Sequence, residues 1–97
     1  MNLKDIKKCL MTRKRKIVLG KHAKEQLLKR GYTKADICSA LLGGTIIEQQ
    51  GANKVAIAGK DTDNNPVIII IAKELDSSFK IVTVMPPIDH QRFIDCI

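Results

Sequence analysis

The stretch Asp61-Thr62-Asp63-Asn64-Asn65-Pro66-Val67-Ile68-Ile69-Ile70-Ile71-Ala72 decides the fold. Its first half is a dense turn signal, because Asp and Asn side chains bond nearby backbone amides and Pro presets its own φ. Its second half is apolar without alternation. Such a strand needs cover on both faces and belongs in the middle of a sheet. Outward from it, Lys54 to Gly59 reads as the preceding strand, and Thr45 to Gln49 as the one before that. Gln50-Gly51-Ala52-Asn53 turns the chain between those two. On the other side Glu74 to Ser78 reverses it into a fourth strand, Lys80 to Met85, which Pro86-Pro87 stops. Short polar turns between consecutive strands favour an antiparallel meander.

Before Thr45 the period is helical. Leu3, Ile6 and Leu10 predict a short basic helix over residues 3–12, and Ile17-Val18-Leu19 a brief extended segment ending at Gly20. A second helix runs from about Lys21 to Arg30, with Gly31 suited to the left-handed position beyond its end. Thr33 is the expected N-cap of a third helix, with Asp36 completing a variant capping box. That helix buries Ile37, Ala40 and Leu41 and ends at Gly43-Gly44. The expected fold class is therefore α+β: N-terminal helices packed on a four-stranded antiparallel meander. One domain, 1–97, is expected, with a basic N-terminal helix over 1–16, a core over 17–86, and a tail or short helix over 87–97.

The chain has 97 residues, and 17 Lys plus Arg against 10 Asp plus Glu give a net charge of +7. A composition 44% hydrophobic and 28% charged is that of a globular chain. No apolar run approaches the ~20 residues of a membrane span, and the start carries no secretory core segment. These features argue against a membrane protein, a secreted precursor and a multidomain enzyme. The charge is lopsided. Residues 1–30 hold 11 basic and 2 acidic residues, hence +9, and residues 31–97 hold 6 and 8, hence −2. A basic lobe attracts polyanions, nucleic acid before an anionic membrane, or an acidic protein; it also suits a plain solubilising surface.

Cys9, Cys38 and Cys96 are odd in number and widely spaced, which fits a reducing cytoplasm and no disulfide framework. Cys38, on an apolar helix face, reads as a small core residue. With only His22 and His90 beside them, no metal site is expected, and no cofactor. The chemistry-bearing candidates start at His22. Helical spacing stacks His22, Gln26 and Lys29 on one face with Arg30 at its border, and puts Ala23, Leu27 and Leu28 on the other. His22 falls at the positive end of the helix dipole, where an uncharged imidazole suits a general base. The same stripe also fits the wet face of an amphipathic helix. In the strand Lys54 to Lys60, Val55, Ile57 and Gly59 face the core. The opposite face, Ala56 and Ala58 edged by Lys54 and Lys60, reads as shallow and able to admit a phosphodiester backbone. Strict alternation in the last strand puts Lys80, Val82 and Val84 on one face and Phe79, Ile81, Thr83 and Met85 on the other. Lys80 is then either a phosphate contact or an ordinary surface amine. Aromatic residues are only 3% of the chain, so RNA would be held through phosphates rather than stacking.

The segment His22-Ala23-Lys24-Glu25-Gln26-Leu27-Leu28-Lys29-Arg30-Gly31 resembles the opening helix of the prokaryotic family labelled domain of unknown function 4258, which reads His-Ala-x-x-Arg and then Arg-Gly. Ile37 to Gly43, the strand pairs and Ile81-Val82-Thr83-Val84-Met85-Pro86 are similar to it as well, so the resemblance covers about residues 17–86. It implies a RelE/MqsR-like toxin fold and a metal-independent ribonuclease cutting messenger RNA, with an antitoxin as partner. His22, Arg30 and Thr83 match family positions, whereas Gln26 stands where the family has arginine and cannot neutralise a phosphate.

Two functions follow as expectations. In the first, a cytoplasmic toxin-like ribonuclease uses His22 for proton transfer and Arg30 and Lys80 for transition-state charge. Arg13, Lys14, Arg15, Lys16 and Lys21, with Lys54 and Lys60, grip RNA, including messenger RNA on the ribosome. In the second, the same scaffold is a non-catalytic regulator or inhibitor, of mobile-element origin, that docks on nucleic acid or an acidic protein. The absence of a complete acid–base pair favours the second.

Overall fold

A computed structural model describes residues 3–12, 17–75 and 78–87. In chain order these form α1 (Leu3–Thr12), β1 (Ile17–Leu19), α2 (Lys21–Arg30), α3 (Lys34–Gly43), β2 (Thr45–Gln49), β3 (Lys54–Lys60), β4 (Pro66–Lys73) and β5 (Phe79–Met85). The sheet order is β1-β5-β4-β3-β2, so β4 is central, as its uninterrupted apolar run requires. Val67, Ile69 and Ile71 join the cluster under the helices, while Ile68 and Ile70 join a second cluster on the opposite face.

The fold is α+β, but the sheet formed by the described residues has five strands and is mixed. β2, β3, β4 and β5 form the expected antiparallel meander; β1 pairs with β5 in parallel, Ile17 opposite Phe79 and Leu19 opposite Ile81. Three residues are too few to show an alternation of their own, and only the pairing makes them a strand.

Local chemistry sets the joints. Asp61 accepts the N–H groups of Asp63 (2.9 Å) and Asn65 (2.8 Å), and Asn64 takes φ 67°, which closes the β3–β4 turn. Gly31, at φ 74°, terminates α2 and donates to the Leu27 carbonyl. The capping box is complete: the Asp36 amide donates to Thr33 Oγ1 (3.2 Å) and the Thr33 amide to Asp36 Oδ2 (2.9 Å). α3 lies directly on β3, where a Cβ added at Gly59 would collide with the Ala40 carbonyl.

Three expectations about side-chain faces are corrected. The alanine face of β3 is not shallow: Ala56 is fully buried and Ala58 nearly so, packed with Ile68, Ile70 and Met85. Small side chains there sit among larger neighbours. Strict alternation fails in β5, because a bulge between Ile81 and Thr83 leaves Val82 as the extra residue. Phe79, Ile81 and Val84 therefore reach the helix-side cluster, and Val82 and Met85 the other. Cys38 is exposed rather than a core residue, because α3 buries the Ile37, Ala40 and Leu41 stripe and Cys38 lies off it. Arg13, Lys14, Arg15, Lys16, His90, Cys96 and the terminal segment lie outside the described residues, as do the side chains of Cys9 and Leu10.

Candidate nucleic-acid interface

β1 is short, so it covers β5 only as far as Ile81, whose carbonyl accepts the Gly20 amide at 2.8 Å. Beyond that point the outer edge of β5 meets α2 instead of a strand. Gln26 Oε1 accepts the Val84 N–H at 2.8 Å, and Arg30 Nη1 donates to the Val84 carbonyl at 3.1 Å. Two side chains one helical turn apart thus satisfy both backbone groups of one strand residue, as a neighbouring strand would.

This clamp revises the faces of α2. Ala23, Gln26 and Leu27 are the buried residues, and Leu28 is 88% exposed. The inward stripe is Ala23, Gln26 and Leu27, an i, i+3, i+4 set that the sequence already contained, and the exposed Arg30 at i+7 reaches Val84 with its guanidinium. Reading the stripe from His22 turned the helix by about one position. His22 itself is exposed, as are Lys21, Lys24 and Lys29.

The remaining candidates fall along the same edge. Lys80 is exposed, and its stem crosses the start of α2, since a Cβ at Gly20 would come within 2.9 Å of Lys80 Cε. Thr83 is half-buried, precedes the clamped Val84 and pairs with Ile70. Lys80 thus lies toward the His22 end of the helix and Thr83, Gln26 and Arg30 toward the other. His22 and Arg30 are eight positions apart on the helix, about 12 Å along the axis. One phosphate cannot sit between them, but an extended backbone running along the helix could meet both. Lys54 and Lys60 do not join this strip; they sit at opposite ends of β3, about 20 Å apart.

Sequence reasoning missed a cleft of about 680 Å³ at the far end of α2, lined by Arg30, Tyr32, Asp36, Asp61, Asp63 and Pro86 among others. Asp36 ties its walls together. Its Oδ1 accepts from the Thr62 hydroxyl (2.6 Å) and amide (3.0 Å), which joins the start of α3 to the β3–β4 turn. The Thr62 hydroxyl first, then the Thr33 and Thr62 amides, lower the Asp36 pKa from 3.8 to about 2. Nothing local in the sequence links residues 36 and 62. Among the described residues no group of three or more His, Cys, Asp or Glu is placed to hold a metal ion, and no helix is long and apolar enough to cross a membrane.

No curated protein and no solved structure matches the chain. Residues 19–86 do match a family, and they run from the last residue of β1 through the α2 clamp to the end of β5, taking in the whole meander. The match spans more than half of the chain, which therefore belongs to the family described as "Domain of unknown function (DUF4258)".

Proposed function

We propose that this protein is a toxin-like ribonuclease, on a RelE-like scaffold, that binds RNA along α2 and cleaves phosphodiesters without a metal ion. The observation that carries the reading is the clamp on Val84. It fixes α2 along β5 so that His22, Lys21, Lys29 and Lys80 stay exposed while Gln26 and Arg30 hold the strand. His22 takes the proton of a ribose 2′-hydroxyl, the 2′-oxygen attacks phosphorus, and the bond to the 5′-oxygen breaks. Lys80 offsets the charge that develops on the phosphoryl oxygens, and Arg30 steadies the neighbouring backbone. The leaving oxygen takes its proton from solvent, giving a 2′,3′-cyclic phosphate and a 5′-hydroxyl. The site of action is the cytoplasm, on RNA that includes ribosome-bound messenger RNA, and an antitoxin or another acidic protein covers the basic lobe.

The test is cleavage of a synthetic RNA in EDTA by wild type and by His22→Ala, with binding followed in parallel. Loss of a catalytic base lowers the rate by about 10²–10⁴ and leaves binding intact. Equal rates in the two proteins remove His22 from the mechanism. The second reading, a non-catalytic binder, is favoured by one feature: Gln26, at the family's arginine position, is buried and engaged with Val84. Salt-sensitive binding by wild type with no cleavage selects it.

A further inference from the structure

β1 ends the sheet on one side, and its ladder with β5 uses only alternate peptide groups. In a parallel pair, alternate residues direct both N–H and C=O to the same neighbour. The Gly20 amide donates to Ile81, and Val18 pairs with Lys80, so Leu19 turns its N–H and C=O outward. Among the described residues no strand lies on that side.

A groove of about 380 Å³ runs beside this edge. Ile17, Leu19, Ile37 and Leu41 give it an apolar floor, and the exposed Lys24 and Lys34 stand over it. Among the described residues, no carboxylate and no aromatic ring lines it.

We propose that β1 and this groove form a docking site for an extended, acidic segment of a partner protein, which adds to the sheet beside β1. Outward peptide groups call for another extended backbone, as in strand addition. The apolar floor receives alternate side chains of that segment, while the two lysines select carboxylates on it. An RNA strand fits less well, because the floor offers neither a stacking platform nor polar groups for a backbone. This site uses neither His22 nor the Val84 clamp, so it stands or falls apart from the ribonuclease reading.

The experiment titrates the full chain with a short peptide alternating glutamate and valine, followed by fluorescence anisotropy and by backbone amide shifts. The expected result is binding with shifts confined to Ile17–Leu19, to α3 and to the turn of α2 that carries Lys24, and slower hydrogen exchange at Leu19. Lys24→Glu combined with Lys34→Glu weakens that binding at least about tenfold. Cys38→Trp, which fills the groove from an exposed position, weakens it without reversing charge. The proposal is overturned by absence of binding at millimolar peptide, by shifts elsewhere, or by undiminished affinity in the charge-reversed protein. It is equally overturned if a lysine–valine peptide binds as well, or if an RNA oligonucleotide displaces the peptide from the same amides.

Discussion

At the scale of single residues, the Val84 N–H faces a helix rather than a strand, and a buried amide left unmet there costs about 1–3 kcal/mol. Gln26→Ala is therefore expected to lower the unfolding free energy by about that amount in urea denaturation. Gln26→Glu, which keeps an acceptor in place, should lose less than Gln26→Ala; an equal loss would mean that packing, not the hydrogen bond, holds α2. Asp36 gives a second prediction. Its folded pKa of about 2 lies below the ordinary 3.8, so folding favours the carboxylate. Its contribution is complete above about pH 4 and disappears as pH falls through about 2. Urea midpoints of wild type should therefore drop across that window more steeply than those of Asp36→Asn. Parallel curves would sink the assignment. The capping half of the Asp36 role was legible, because Thr33 and Asp36 are three residues apart. The Thr62 half was not, because it joins residues 26 apart in sequence. Gln26 was legible in type but assigned to the wet face, since His22 and Gln26 are as well spaced as Ala23 and Gln26 on a helix.

At the scale of elements, the helix and strand boundaries were readable wherever a turn chemistry or a cap marked them. Gly31, the Thr33 box, Gly43-Gly44 and the Asp61–Pro66 turn each coincide with an observed joint. What escaped were features without a composition of their own: the parallel pairing of β1, and the bulges in β2 and β5. A bulge shifts every later side chain to the other face, so one extra residue at Val82 was enough to overturn the alternation read for Val84 and Met85. The alanine face failed for a related reason, since side-chain size alone does not say how high the neighbours stand. The contact of α3 with β3 is where an element-scale prediction is sharpest. Gly59 lets the Ala40 turn approach the strand, and any Cβ there forces α3 outward. Gly59→Ala should cost about 1–3 kcal/mol as overpacking does, whereas Gly43→Ala, with nothing within 4 Å of its Cβ, should cost much less. Thermal denaturation of the two variants side by side separates local crowding from a general effect of removing glycine.

At the scale of the whole molecule, the charge and the core are not on separate pieces. The first thirty residues carry +9, yet Ile6 of α1 is fully buried in the helix-side cluster with Leu27, Leu41 and Phe79. α1 is therefore part of the fold. Deleting it would confound charge with stability, which leaves neutralisation of side chains as the way to ask where a polyanion is held. Single-strand binding weakens with salt at a slope of about −0.7 in log units for each phosphate neutralised. Replacing the four consecutive cations, Arg13→Ala, Lys14→Ala, Arg15→Ala and Lys16→Ala, should then flatten the slope by up to about 3 if each meets a phosphate. Lys21→Ala with Lys29→Ala on α2 should flatten it by about 1.4. Exposed amines sited away from this strip, such as Lys60 at the far end of β3, should leave it unchanged. The three slopes, measured by anisotropy on one RNA, also discriminate between the two functional readings. A ribonuclease that positions its substrate on α2 loses both slope and cleavage rate with the α2 pair. A binder that grips through the basic run loses slope with the quadruple variant alone.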